Sequence, residues 1–191
     1  MKLLHKIASV LANLPGMLLR GALLLVISSA PVYFALSNFA AFEPYLYPLH
    51  SLQNRVRQVT PNVIVGPYPD MNLLTNLRHR GVTVVISLLD QNLIYEKSLI
   101  QRENALSSQM NFTEYNTPMN SSQPSNSELN EAALARIQTI LRDHPNDKVY
   151  IHCYLGKHRA GQVAQMLTSS QRLGNDIAIR SKTDSSKTVL R

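Results

Sequence analysis

The sequence predicts an α/β fold, a central and mostly parallel sheet flanked by helices, preceded by one apolar N-terminal helix. Three observations lead there. Residues 21–42 (GALLLVISSAPVYFALSNFAAF) contain no charged side chain. Downstream, short β-branched apolar runs alternate with segments of helical periodicity, the pattern of parallel strands joined by crossover helices. One such run, Val149-Tyr150-Ile151, leads straight into a glycine-containing loop that carries the chain's one cysteine.

The first observation concerns a membrane. A hydrocarbon core about 30 Å thick needs roughly 20 apolar residues as a helix, and residues 21–42 meet that need. A cleaved signal peptide has a shorter apolar core, about 7–15 residues, and a small-residue cleavage site; this run is longer and starts later. A buried core helix is a third reading, but the downstream pattern needs no helix from here. The stretch is therefore expected to be a transmembrane anchor, kinked at Pro31. Residues 1–20 form an amphipathic, basic lead-in, and residues 43–57 a connector whose tyrosines suit the headgroup region. Lys2, Lys6, Arg20 and the amino terminus precede the span, whereas Glu43, Arg55 and Arg57 follow it. The positive-inside rule favours, by a narrow margin, a domain on the non-cytoplasmic side. Thiol chemistry favours a reducing compartment instead, so sidedness stays open.

The α/β unit is expected over residues 58–173. Val63-Ile64-Val65 reads as a strand ending at Gly66-Pro67. Asp70 can cap a helix that runs to Arg80, with Leu73, Leu74 and Leu77 on one face and Gly81 as its stop. Residues 83–89 (TVVISLL) form a continuous apolar run, as in a strand buried on both faces. A helix over 94–108, a strand over 112–116 and a loop over 117–127 (TPMNSSQPSNS) follow. Asn126 or Ser127 then starts a helix to about Arg142, striped with Leu129, Ala133, Ile137 and Ile140. Residues 148–151 form the last strand, and a helix follows Arg159 to about Leu173, where Gly174 ends it. Residues 174–191 read as a basic, mobile tail.

Composition narrows the function. With a formal net charge of +7, the surface suits anionic partners: phosphate esters, acidic lipid or nucleic acid. No zinc-finger spacing or aromatic-basic interleaving is present, which argues against nucleic acid. One cysteine permits no internal disulfide and no paired-cysteine metal motif; neither metal nor cofactor is expected.

The chemistry concentrates at His152-Cys153-Tyr154-Leu155-Gly156-Lys157-His158-Arg159. A strand enters a short loop that opens a helix, so backbone N–H groups converge into an anion cradle formed by residues 154–159. Gly156 lets the backbone curl without a Cβ clash. At the start of a helix a cysteine favours its thiolate, the nucleophilic form. Arg159 can hold two phosphate oxygens with its planar fork, which lysine cannot. His152 can order the loop or serve as a plain structural histidine. Lys157 and His158 add positive charge near a ligand or merely solvate the loop. A lone cysteine is more often apolar filler, but strand, glycine, arginine and helix all stand where a phosphate loop needs them.

This arrangement resembles the protein tyrosine phosphatase superfamily. The stretch HCYLGKHRAG is most similar to the atypical dual-specificity phosphatases of plant and fungal type, whose loop also carries Gly-Lys-His-Arg. The resemblance covers about residues 58–173 and includes the opening segment NVIVGPYPDMNLLTNLRHRGVTVVISLL. It implies hydrolysis of phosphoproteins or inositol pyrophosphates through a cysteinyl phosphate on Cys153, with Arg159 binding phosphate and no metal. Two departures stand out. Family members usually place Ser or Thr after the loop arginine, where Ala160 stands. They also carry an aspartate acid in the loop corresponding to residues 117–127, which holds neither Asp nor Glu; Asn120 or Ser121 sits at that point. Asp90, at the carboxyl end of the apolar strand, and Glu114, near the start of that loop, are the substitutes in reach, with position favouring Asp90; a carboxylate at Asp90 that caps the next turn is the plainer reading of that residue.

Three functions follow as expectations: a membrane-tethered phosphatase acting on phosphotyrosine or a related phosphomonoester; a lipid or inositol (pyro)phosphate phosphatase; and a pseudophosphatase that binds phosphate without turnover.

Overall fold

The computed structural model describes residues 16, 21–22, 24–43, 45, 56–120 and 128–172. A five-stranded sheet is built from β1 (Arg57–Thr60), β2 (Val63–Gly66), β3 (Val82–Ser87), β4 (Thr113–Asn116) and β5 (Lys148–His152), in the order β1-β2-β5-β3-β4. Every pairing is parallel except β1 with β2. Parallel neighbours need long crossovers, and α1 (Met71–His79), α2 (Ile94–Gln109) and α3 (Glu128–Asp143) supply them. A last helix, α4, covers residues 159–172.

Side-chain alternation divides the core. Val63, Val84, Ile86, Val149 and Ile151 face one way and pack on Ala133, Ile137 and Ile140 of α3 and on Ala160 and Val163 of α4. Ile64, Val85 and Tyr150 face the other way, onto Leu74 and Leu77 of α1 and onto Phe112. Because β2, β3 and β5 are covered on both faces, they read as continuous apolar runs. The predicted cap also forms: Asp70 accepts a hydrogen bond from Leu73 N at 2.7 Å, and Gly81 leaves α1 at φ +83°.

β1 is an addition to the expected pattern. The connector predicted over 43–57 ends in this edge strand, where Arg57 and Gln58 are exposed. Charge and polarity on an edge discourage further pairing, and they also hide the strand from a hydropathy reading.

The apolar N-terminal stretch differs from the single span predicted over 21–42. It is helical over 24–37, turns at Asn38 and is helical again over 39–43. At the break both Asn38 N and Asn38 Nδ2 donate to Phe34 O, at 3.0 and 2.9 Å, and Ala41 N reaches back only three residues to Asn38 O. Among the described residues no helix is long and apolar enough to cross a membrane. Residues 39 and 40 pack against protein instead, on the cluster of Tyr68, Leu89, Leu99 and Ile100. The lead-in predicted over 1–20 apart from residue 16, residues 44 and 46–55 of the connector, Ser121 and the rest of 121–127, and the tail predicted over 174–191 lie outside the described residues.

Candidate active site

The site forms where β5, in the middle of the sheet, passes into α4. Ligands of open α/β sheets gather at such carboxyl ends of strands. β5 ends at His152, whose carbonyl accepts from Leu88 N at 2.9 Å; Cys153 follows, and Tyr154 O accepts from Tyr68 N at 3.1 Å. The loop is thereby stitched to its neighbours on both sides. Gly156 takes φ +67°, and a Cβ there would meet Gly66 C at 2.5 Å and Pro67 N at 2.6 Å. Only glycine permits both the turn and this approach.

Cys153 is buried, 3% exposed, and lines a cavity of about 170 Å³ together with Tyr95, Glu96, Tyr154, Leu155, His158 and Arg159. Arg159, in the first turn of α4, is 4% exposed. Its Nη1 donates to Glu96 Oε2 at 2.9 Å and to Leu88 O at 2.9 Å, and its Nη2 donates to Glu96 Oε1 at 2.5 Å. Burial works against the charge on Arg159, but the hydrogen bonds and charge of Glu96 outweigh it and hold the guanidinium above its ordinary value. Nη1 also reaches Met119 O at 3.4 Å, so these bonds use Nη1 and Nη2; among the described residues no bond from Nε is found.

Behind the loop lies a second polar group. His152 Nε2 meets Glu103 Oε1 at 2.5 Å, and Glu103 Oε2 accepts from Ser87 Oγ at 3.0 Å; all three residues are fully buried or nearly so. His152 also stacks on Tyr150 at 5.7 Å. Its place is thus behind the cysteine, holding the end of β5 against α2.

The two nominated acids are placed elsewhere than beside Cys153. Asp90 Oδ1 accepts from Asn92 N at 2.9 Å and Asn92 Nδ2 at 3.0 Å, closing its own turn. Asp90 N donates to Glu96 Oε2 at 2.6 Å, so the turn supports Arg159 through Glu96. Glu114 pairs in register with Val85, on the sheet face covered by α2. Burial first, then the neighbouring Glu103, push its carboxyl up to about 7. Neither acid lines the cavity of Cys153. Among the loop residues, Tyr154, Leu155 and His158 line that cavity, whereas Lys157 is exposed and does not. Ala160 is fully buried in the core. Asn120 N donates to Asn130 Oδ1 at 2.6 Å, which ties the loop's start to α3.

Sequence reasoning missed Glu96, Glu103, Tyr95 and Phe39. A signal existed for the glutamates: seven residues apart on one helix, they must share a face. Two larger hollows, of about 440 and 370 Å³, lie along α4 and hold no cysteine. Size alone therefore does not select the site. Among the described residues no cluster of His, Cys, Asp and Glu could hold a metal ion.

No protein-family model and no curated protein matches the chain. Solved structures do. A protein described as "Putative phosphatase (DUF442)", from Shewanella putrefaciens CN-32, superposes with a TM-score of 0.52 at 20% identity, covering 65% of this chain and 77% of that one. The two chains share a fold. A second crystal structure with the same description gives 0.50 at 22% identity, covering 63% and 70%. A mutant form of Tk-PTP gives 0.43 at 18% identity, covering 62% and 83%. The five-stranded sheet with its flanking helices is thus an architecture already seen in solved proteins.

Proposed function

We propose that the chain is a cysteine-dependent phosphatase of the protein-tyrosine or dual-specificity type. The observation that carries this reading is that Cys153 and Arg159 line one small cavity at the β5–α4 junction. The fold shared with proteins described as a phosphatase supports it. In the first step Cys153 Sγ attacks phosphorus, the P–S bond forms and the bond to the ester oxygen breaks. In the second, water attacks phosphorus and the P–S bond breaks, restoring the thiolate. Splitting the displacement in two is the usual benefit of a covalent intermediate. Arg159 binds two equatorial oxygens through Nε and Nη2 while Glu96 fixes its far edge, so the donors are aimed in advance. No cofactor takes part.

With Asp90 in its own turn and Glu114 beneath α2, among the described residues no carboxylate other than the Arg159-bound Glu96 lines the cavity. A substrate whose leaving group needs little protonation suits such a site: an aryl phosphate, phosphotyrosine or a pyrophosphate. Lys157, exposed on the loop, adds positive charge, and His158 lines the cavity wall, which also fits lipid or inositol phosphates. The same absence of an acid, together with Ala160, favours a second reading, a pseudophosphatase. The exposed apolar side chains of residues 24–36, among them Leu25 at 71% and Phe34 at 63%, support attachment to a membrane. Co-flotation of the full chain with lipid vesicles tests that attachment; a chain that stays at the bottom argues against it.

The activity is tested by phosphate release from an aryl phosphate, a phosphotyrosine peptide and inositol phosphates, with Cys153→Ser as control. Release lost in Cys153→Ser supports the covalent route. Phosphate binding without release from any substrate supports the pseudophosphatase.

A further inference from the structure

We propose that Phe39, supplied by the N-terminal helical segment and not by the α/β unit, is a positioning residue that sets how tightly the site grips the organic part of its ligand. The inference deepens the phosphatase reading and rests on it only for the ligand's class, a phosphate ester with a flat or apolar group. Residues 39–43 are fastened along α2. Ala40 N donates to Ser98 Oγ at 3.2 Å, Arg102 Nη1 donates to Ala40 O at 3.0 Å, and the same Nη1 reaches Glu43 Oε2 at 3.4 Å. Glu43 is 1% exposed. These ties fix the position from which Phe39 projects.

The Phe39 ring meets Tyr95 edge-on at 5.9 Å and Tyr154 at 5.8 Å. Those two tyrosines are the aromatic residues lining the cavity of Cys153 and Arg159. Each is bonded in the chain to a residue of the phosphate machinery, Tyr95 to Glu96 and Tyr154 to Cys153. Burial, then the charge of Glu43, push the Tyr154 phenol up to about 12, so it stays a neutral, apolar-bodied wall at physiological pH. Phe39 is therefore a wedge that holds both walls. The lining joins the charged pair Arg159 and Glu96 to the apolar bodies of Tyr95, Tyr154 and Leu155. Removing the wedge should loosen the two tyrosine walls, whereas Arg159 stays held by Glu96 and Leu88 O.

The test uses the full chain and two probes, inorganic phosphate and phenylphosphonate, a non-hydrolysable aryl ligand. In Phe39→Ala, phenylphosphonate binding should weaken about five- to tenfold, the scale of two aromatic contacts, while phosphate binding is unchanged. Phe39→Leu, which keeps bulk but not the ring edge, should fall between. Unchanged phenylphosphonate affinity, or an equal loss for both probes, overturns the proposal. If Phe39→Ala does not fold, Phe39→Leu decides: an unchanged ratio of the two affinities overturns it. A wild-type chain with the expected affinity pattern but no phosphate release supports Phe39 and overturns catalysis. A wild-type chain that binds neither probe overturns both.

Discussion

Glu96 grips Arg159 with both carboxylate oxygens, at 2.5 and 2.9 Å, and one of those oxygens also takes the backbone N–H of Asp90 at 2.6 Å. The pair is buried, so it ties α2, the end of β3 and the start of α4 together at one point. Breaking a buried pair by removing one partner costs about 3–5 kcal/mol, because the other charge is left unpaired. Glu96→Ala should therefore lower stability by about 3 kcal/mol, seen as a fall in the urea midpoint at unchanged slope. A loss below about 1 kcal/mol, the scale of an exposed pair, would show that the pair is not buried in solution.

Arg159→Lys keeps a positive charge for Glu96 but not the planar fork. Phosphate release should drop about a hundredfold, the scale of losing one aimed donor at a developing charge. Steady-state rates with an aryl phosphate check this; a lysine variant with wild-type rates would remove bidentate recognition from the mechanism.

Gly156→Ala places a methyl against Gly66 and Pro67 at a residue with φ +67°. Left-handed strain and overpacking each cost about 1–3 kcal/mol, so a loss of about 3 kcal/mol is expected, along with phosphate binding. Thermal melts and phosphate titration report the two effects separately. Gly81→Ala also has a positive φ of +83°, but its Cβ meets nothing closer than 3.9 Å. It should cost less and leave phosphate binding alone.

Glu114 gives a pH signature. Its folded pKa, about 7, lies above the ordinary 4.5, so between those values the folded chain holds the proton more tightly than the unfolded one. Its contribution to stability is complete below about 4.5 and is lost as pH rises through 7. Glu114→Gln should remove that loss. After discounting for solvent screening, the variant should gain about 1 kcal/mol over wild type at pH 8 relative to pH 5. Parallel stability curves for the two proteins would contradict this.

How much of this was legible in the sequence depended on what each residue packs against. β2, β3 and β5 lie inside the sheet, so burial on both faces imprinted itself as apolar runs. The loop between β5 and α4 was legible because a strand, a glycine and the start of a helix follow one another at fixed spacing. β1 escaped notice because an edge strand with Arg57 and Gln58 on its surface carries no apolar signature. α2 was expected as a helix, but its buried face includes Glu96, Glu103 and Ser107. Hydrophobic periodicity assigns such residues to solvent, so the partners of Arg159 and His152 stayed hidden. Asp90 is nominated by its place at the carboxyl end of a buried strand and Glu114 by its place near the start of the loop; hydrogen bonding to Asn92 claims the first, and the α2-covered face claims the second. At Asn38 the helical ladder shifts from an i−4 bond to an i−3 bond, Ala41 N to Asn38 O, a local change that an uncharged run does not announce.

The most direct measurement is acid-quenched mass spectrometry of the chain during turnover of an aryl phosphate. The cysteinyl-phosphate account predicts a phosphoryl group on the peptide containing Cys153, absent in Cys153→Ser, which should also release no phosphate. Phosphate release by Cys153→Ser at the wild-type rate, with no phosphoryl group on Cys153 in the wild type, would contradict it.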